Sequence, residues 1–257
     1  MIHPGAIIHP DALIRDNVSI GAYSVIGENV EIDEGSWIGS HVVIKGPSKI
    51  GKNNKIYQFC SIGDDPQDKK YDGEDDSSLE IGNNNVIREY CSINRGTAHG
   101  GGVTRIGNNN WIMAYAHLAH DCLIGDDNVL ANNTTLAGHV IIDDKVTLGG
   151  FTGVHQFCRI GKYGFSAISS VILKDVPPYV MVSGNSAKPT GLNKEGLKRG
   201  GYSASTIEIL KKSYKIVYRD GLLLKDALAE LGELESDCPA VKDFVEFVKK
   251  SGRGISR

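Results

Sequence analysis

Four histidines of this chain stand at spacings that could support acid–base or metal chemistry. His117 and His120 lie three residues apart in the stretch AYAHLAHDCLIGDDN, and an acid, Asp121, follows the second directly. His139 and His155 come further along the chain. An imidazole with a pKa of ~6.5 can accept a proton at neutral pH, and a neighbouring carboxylate can fix its tautomer. Which chemistry is possible depends on the element that positions these side chains.

A repeat of six residues dominates the sequence and predicts that element. Isoleucine occupies every sixth position from Ile2 to Ile62, eleven times in succession, and aliphatic residues continue the pattern over 81–93 and 106–160. A period of six fits neither an α-helix nor a β-strand, but it is typical of the hexapeptide parallel β-helix, in which three hexads form one triangular coil. Such prisms are left-handed, an exception to the usual crossover rule. Roughly nine coils would stack at the ~4.8 Å spacing of β-strands.

The turns between hexads and the breaks in the repeat have their own signatures. Crowding in the turns explains the frequent glycine and the asparagine-rich stretches. Residues 64–79 and 95–103 are too polar and irregular to form coils. We expect both segments to be outward loops, which is where binding groups often lie.

The last quarter of the chain has a helical pattern. Ser203 can cap a helix that runs to about Arg219, and Pro239 stands where a last helix would begin. The sequence therefore predicts an all-β left-handed parallel β-helix over residues 1–190, followed by a small α-helical domain over residues 191–257.

Composition narrows the class of protein. The net charge of −3 argues against a nucleic-acid partner, and no apolar run reaches the length of a membrane span. The N-terminal residues MIHPGAIIHP lack the pattern of a signal peptide. The five cysteines include no CxxC pair, which argues against a structural zinc site and favours a reducing cytoplasm.

The repeat gathers the histidines along one edge of the predicted prism. Leu118, Leu136 and Val154 are eighteen residues apart, so they stack on one face in three successive coils. The four histidines flank this column over about 10 Å of height. The sequence therefore predicts a surface groove lined by imidazoles.

Three interpretations of this groove remain open from the residues alone. His117, His139 and His155 could converge on a zinc ion, as in zinc hydratases built on the same fold. His120 could act as a general base that Asp121 orients and supports. The histidines could also pack at an interface between subunits.

Longer segments make the chain resemble a known family over essentially its whole length. The segments HLAHDCLIGDDNVLANNTTLAGHV (117–140), GGFTGVHQFCRIG (149–161), DVPPYV and GLNKEGLKR resemble the UDP-N-acetylglucosamine acyltransferases of bacterial lipid A synthesis. The resemblance implies that a 3-hydroxyacyl chain passes from acyl carrier protein to the sugar 3-hydroxyl, with no cofactor and no metal. It also implies a homotrimer with active sites between neighbouring prisms. Another hexapeptide acyltransferase or acetyltransferase and a zinc hydratase are the alternatives.

The resemblance also assigns roles to individual residues. It implies that His120 is the general base, that Asp121 supports it and that the backbone of Gly138 binds the oxyanion. Ile168 occupies the position that sets acyl length, which leads us to expect a chain of about ten to twelve carbons. The implied contacts to sugar nucleotide and acyl donor are Asp68, Lys70, His117, His139, His155, Gln156, Asn193, Glu195 and Arg199.

Two positions depart from the family pattern, and one region suggests a partner. Gly200 stands where better-known members have a second arginine, so either Lys198 takes over part of the contact with the diphosphate or that contact is weaker. Asn94 replaces a common histidine, which leaves open an acceptor with a 3-hydroxyl or a 3-amino group. Residues 191–257 contain 13 Lys and Arg against 10 Asp and Glu, and this basic end would suit the acidic carrier protein.

Overall fold

The computed structural model describes residues 1–73, 76–235 and 238–257, without the side chains of Glu233 and Glu235. Within these residues it contains 27 short strands followed by four α-helices. Most strands are two residues long because a turn interrupts every hexad. The strands are β1 (Ile7–Ile8), β2 (Leu13–Ile14), β3 (Ser19–Ile20), β4 (Val25–Ile26), β5 (Val30–Ile32), β6 (Trp37–Ile38), β7 (Val43–Ile44), β8 (Ser48–Ile50), β9 (Lys55–Ile56), β10 (Ser61–Asp64), β11 (Ser78–Ile81), β12 (Val86–Ile87), β13 (Ser92–Asn94), β14 (Val103–Ile106), β15 (Trp111–Ile112), β16 (His117–Leu118), β17 (Leu123–Ile124), β18 (Val129–Leu130), β19 (Thr135–Leu136), β20 (Ile141–Ile142), β21 (Thr147–Leu148), β22 (Gly153–Val154), β23 (Arg159–Ile160), β24 (Phe165–Ser166), β25 (Val171–Ile172), β26 (Val180–Ser183) and β27 (Lys188–Leu192).

Every third strand belongs to the same sheet, so the chain winds as a left-handed, three-sided β-helix. Sheet 1 runs from β1 to β25 in steps of three, sheet 2 from β2 to β23, and sheet 3 from β3 to β24. Strands β26 and β27 extend sheet 3, and their mutual pairing is antiparallel. The predicted eighteen-residue register is confirmed, since Leu118 pairs with Leu136 and Leu136 with Val154. The aliphatic columns fill the prism and are buried from Ile20 onward.

Glycine and asparagine serve the turns in different ways. Asparagines such as Asn53, Asn84 and Asn109 adopt the left-handed conformation, with φ between 56° and 58°. Glycines that follow the aliphatic residue instead allow neighbouring coils to pack closely. A Cβ on Gly21, for example, would lie 2.6 Å from a backbone nitrogen of the next coil. Glycine is therefore needed there for close approach between coils rather than for a positive φ.

A ladder of buried asparagines also ties the coils together, which the sequence pattern did not reveal. The backbone N–H groups of Asn85, Asn110 and Asn128 each donate to the side-chain oxygen of the asparagine one coil below, at 2.9 Å. Asn54 begins the ladder, and all four residues are at most 1% exposed. The ladder satisfies polar groups that would otherwise be unpaired in the core.

The four helices pack beyond the last coils. They are α1 (Lys194–Arg199), α2 (Ala204–Tyr218), α3 (Leu224–Glu235) and α4 (Pro239–Lys250). Ser203 caps α2 by accepting the N–H of Thr206, and Pro239 begins α4, as the sequence predicts. We did not predict α3, which buries Ala227 and Leu231. None of the helices in the described part of the chain is long and apolar enough to cross a membrane.

Two edges of the prism carry the residues of functional interest. The edge between sheets 1 and 2, here called the histidine edge, contains residues 119–122, 137–140 and 155–158. The edge between sheets 3 and 1, here called the aromatic edge, contains a stack of rings with centroids 4.8 to 5.3 Å apart. The stacked rings belong to Tyr23, His41, Phe59, Tyr90 and Tyr115.

Candidate active site

His120 and Asp121 form a hydrogen-bonded pair on the histidine edge. His120 Nδ1 lies 2.8 Å from Asp121 Oδ2. The Asp121 side chain is 1% exposed, and its oxygens also accept the backbone N–H and the hydroxyl of Thr97 at 3.0 and 2.7 Å. A carboxylate with these partners holds the proton of His120 on Nδ1. The lone pair of His120 Nε2 is then available to accept a proton.

Gly138 lies directly against the ring of His120. It occupies the same turn position one coil above, and Gln156 occupies that position in the coil above Gly138. A Cβ on Gly138 would lie 2.6 Å from Cε1 and 2.7 Å from Nε2 of His120. Only glycine therefore leaves room for a reacting group beside Nε2. The backbone N–H of Gly138 has no hydrogen-bond acceptor among the described residues.

His139 adjoins the pair and stays neutral near pH 7. Its ring is perpendicular to that of His120 at 5.1 Å and stacks on Phe157 at 4.5 Å. Burial lowers the pKa of His139 below its usual value, although the negative charges of Asp121 and Asp68 oppose this shift. A neutral His139 can donate or accept a hydrogen bond to a substrate.

His117 and His155 lie on either side of this cluster. His117 projects from strand β16 and is half-buried, with Nδ1 2.7 Å from Ser92 Oγ, and burial lowers its pKa. His155 is exposed, with Nδ1 3.1 Å from the Gln156 carbonyl oxygen. The two histidines do not converge with His139 on one point, contrary to the zinc interpretation.

A different group of possible metal ligands does come together, and it does not include His117 or His155. Within the described residues it consists of His120, Asp121 and His139, whose ligand atoms lie within 4.8 Å of one another. Because Thr97 and His120 already occupy the Asp121 oxygens, the geometry suits the orientation of an imidazole better than the binding of a metal.

The two predicted loops both reach the histidine edge. The first loop spans residues 65–77, and its Glu74 and Asp75 lie outside the described residues. Asp68 accepts the backbone N–H of Lys70 at 3.0 Å and lies near enough to His139 to affect its pKa. Lys70 is exposed. The second loop, residues 95–102, carries Thr97 back against Asp121, a contact that sequence reasoning missed.

Asn193, Glu195 and Arg199 lie elsewhere, at a cavity of about 490 Å³ on sheet 3. Asn193 caps α1 and donates its amide to the Tyr163 carbonyl at 3.0 Å. Glu195 pairs with Lys198 at 3.0 Å, and Arg199 is exposed. We call this cavity the sheet 3 pocket. Within one chain, these residues therefore lie apart from His120.

Comparison with known proteins identifies the family. A model described as Udp N-acetylglucosamine O-acyltransferase, domain 2, matches residues 175–256, and a bacterial transferase hexapeptide model matches 1–34 and 104–138. The acyl-[acyl-carrier-protein]–UDP-N-acetylglucosamine O-acyltransferase of Thiobacillus denitrificans is 53% identical over 256 residues, which cover 100% of this chain and 99% of that protein. The chain belongs to the UDP-N-acetylglucosamine O-acyltransferase family.

Solved structures of acyltransferases in this family superpose closely. The Francisella novicida UDP-N-acetylglucosamine acyltransferase matches with a TM-score of 0.98 at 47% identity, covering 100% of this chain and 94% of that one. The Moraxella catarrhalis UDP-N-acetylglucosamine O-acyltransferase matches with a TM-score of 0.97 at 50% identity, covering 100% and 99%.

Gly200 and Asn94, the two departures from the acyltransferase pattern, are both in close contact with neighbouring residues. A Cβ on Gly200 would overlap the Tyr163 ring, so an arginine there would require that ring to move. Asn94 lies one coil below Ala119, and its amide donates to the Asp65 carbonyl at 2.7 Å. Its side-chain oxygen is buried without a hydrogen-bond partner among the described residues. Asn94 therefore anchors the first loop beneath the His120–Asp121 pair.

Proposed function

We propose that this enzyme transfers an (R)-3-hydroxyacyl chain from acyl carrier protein to the 3-hydroxyl of UDP-N-acetylglucosamine, the first step of lipid A biosynthesis. The observation that carries the proposal is the His120–Asp121 pair, whose free Nε2 faces a glycine that leaves room for the reaction. Membership of the family supports the choice of sugar nucleotide and donor.

The proposed chemistry uses the geometry as follows. His120 Nε2 takes the proton of the sugar hydroxyl as its oxygen attacks the thioester carbonyl carbon. The Gly138 N–H donates to the oxyanion that forms, a kind of contact that stabilises acyl-transfer transition states strongly. The intermediate then collapses, the carbon–sulfur bond breaks, and His120 returns the proton to the departing sulfur. Asp121 stabilises the imidazolium between the two proton transfers.

The remaining site residues form two groups of proposed substrate contacts. The first group would hold the sugar and the acyl donor. It comprises residues at the histidine edge, in the first loop and on strand β16: His139, His155, Gln156, Asp68, Lys70 and His117. Those at the sheet 3 pocket, Asn193, Glu195 and Arg199, would hold the uridine and phosphate groups. Arg199 suits this role best because its charge is exposed and unpaired among the described residues.

The separation of these groups supports a homotrimer. His120 lies on the histidine edge, Arg199 at the sheet 3 pocket, and Ile168, the proposed acyl-length residue, on the aromatic edge. One substrate can meet all three only if the histidine edge of one prism faces the aromatic edge and sheet 3 of the next. A heterologous contact of this kind forms a closed ring when each protomer is rotated by one third of a turn from the last, as the proposed trimer requires. The exposed aromatic stack supplies an apolar surface for it.

Charge and cysteine chemistry support the proposed donor and the proposed compartment. The basic helical end would attract an acidic carrier protein, so added salt should weaken the reaction. All five cysteines are free and buried, which agrees with a reducing cytoplasm.

The proposal is tested by mass spectrometry of the products from UDP-N-acetylglucosamine and a panel of 3-hydroxyacyl carrier proteins. We expect a product heavier than the acceptor by one hydroxyacyl group, with a preference for chains of about ten to twelve carbons. The 3-amino acceptor is assayed in parallel, because Asn94 bears on that choice. Absence of acyl transfer, or activity that requires stoichiometric zinc, would contradict the proposal.

A further inference from the structure

Thr97 of the second loop hydrogen-bonds the acid of the His120–Asp121 pair. Thr97 is 5% exposed, and it donates its backbone N–H to Asp121 Oδ1 at 3.0 Å and its hydroxyl to Oδ2 at 2.7 Å. Oδ2 is also the atom that His120 Nδ1 contacts at 2.8 Å. Thr97 and His120 therefore share one carboxylate oxygen, and Thr97 alone spans both oxygens.

Two further residues, Thr104 and Gly100, contact Asp121. Thr104 Oγ1 accepts the Asp121 backbone N–H at 2.8 Å. Gly100 packs so closely that a Cβ there would overlap the Asp121 carboxylate. Asp121 has a φ of 60°, the left-handed conformation that the equivalent turn residues of the next two coils, His139 and Phe157, also adopt. The contacts of Thr97 therefore act on the side chain of Asp121, while its backbone follows the regular turn.

We propose that Thr97 is a positioning residue for the general base, acting through Asp121; this inference rests on the proposed function. Its two donors fix the plane of the carboxylate, whose Oδ2 also accepts the Nδ1–H of His120. The Nε2 lone pair then points toward Gly138. Without the Thr97 hydroxyl, the buried Oδ2 loses one of its two partners, and the carboxylate that orients the ring of His120 is held less firmly.

Steady-state kinetics of three variants tests the proposal. We expect Thr97→Val to lower kcat about ten- to a hundred-fold, the effect of one hydrogen bond to a charged group, with little change in KM for the sugar nucleotide. Thr97→Ser keeps the hydroxyl and should restore most of kcat. Thr134→Val is the matched control, because Thr134 is also buried and its hydroxyl donates to the Ala131 carbonyl at 2.7 Å, with no other partner in the described part of the chain.

The control separates positioning from stability. Thr134→Val should lower the melting temperature about as much as Thr97→Val while leaving kcat unchanged. Equal kcat in Thr97→Val and wild type, or equal losses of kcat in the two valine variants, would overturn the proposal. Gly100→Ala is a second and independent variant, which pushes the carboxylate away from the second loop and should also lower kcat.

A spectroscopic measurement tests the same inference without substrate. Nitrogen-15 NMR of the imidazoles, with the His120 signals assigned by comparison with His120→Gln, reports which ring nitrogen carries the proton. Wild type should hold the proton on Nδ1, and Thr97→Val should give a mixture of tautomers. An unchanged tautomer in Thr97→Val would overturn the inference. A wild-type enzyme that fails to acylate the sugar nucleotide would instead overturn the proposed function alone.

Discussion

Mixed trimers of two inactive variants should recover activity if the site lies between protomers. His120→Ala removes the base from the histidine edge, and Arg199→Ala removes an exposed charge from the sheet 3 pocket. Each variant alone should be nearly inactive. Co-expression in equal amounts places the two kinds of protomer at random around the ring, so some sites combine an intact histidine edge with an intact neighbouring pocket.

The expected recovery follows from the geometry of the ring. Half of the histidine edges are intact and, independently, half of the pockets that face them are intact. About one quarter of the sites are then complete, so the pooled enzyme should show about one quarter of wild-type turnover per site. The assay is initial acyl transfer at saturating substrates, with trimer content checked by light scattering.

Two comparisons make this result decisive. Co-expression of His120→Ala with Asp121→Asn should recover nothing, because both residues belong to one edge of the same protomer. Variants mixed only after purification, as preformed trimers, should also stay inactive. If the co-expressed His120→Ala and Arg199→Ala pool remains at the level of the single variants, the site does not span two protomers and the reasoning is refuted.

Three further predictions concern stability, pH and acyl length. Asn85→Ala interrupts the buried asparagine ladder and leaves the backbone N–H of Asn110 without an acceptor. The free energy of unfolding, measured by urea titration, should fall by about 2–4 kcal/mol. A loss below about 0.5 kcal/mol would show that the ladder is dispensable. Burial lowers the pKa of His117, so the unfolded chain binds a proton more readily than the folded one, and stability should fall as the pH drops through about 6.5. His117→Gln should lose less stability over this pH range than the wild type. Melting temperatures that fall equally with pH in both proteins would argue against this role of His117. Ile168→Gly removes a side chain that is 69% exposed on the aromatic edge, and the longest carrier-protein substrate accepted should lengthen; an unchanged chain-length profile would remove Ile168 from this role.

The fold was predictable because one physical requirement repeats along the chain. Each coil must present its aliphatic residue to the core at the same place, so a period of six gives both the strands and the register of Leu118, Leu136 and Val154. The period could not predict how the interruptions fold. Across them Ser61 pairs with Ser92 and Ser92 with His117, offsets of 31 and 25 residues in place of 18.

The candidate site was predictable only where it follows the coils. The juxtaposition of His120, Asp121 and Gly138 comes directly from the eighteen-residue register. The contact of Thr97 with Asp121 was not predicted, because it depends on the path of an irregular loop. The break in the repeat predicted only that residues 95–103 form a loop. We missed helix α3 even though its sequence, LKDALAELGELE, is rich in residues that favour helices and its buried Ala227 and Leu231 are four residues apart.

Removal of the imidazole of His120 tests the central claim most directly. The side chain lies outside the aliphatic core and is 15% exposed, so His120→Ala should keep the fold of the wild type, with its melting temperature lowered only by the loss of one hydrogen bond to Asp121. Acyl transfer to UDP-N-acetylglucosamine should fall by about 10²–10⁴-fold, the contribution of a general base, and free imidazole should restore part of it. Turnover of His120→Ala close to that of the wild type, without added imidazole, would contradict the account.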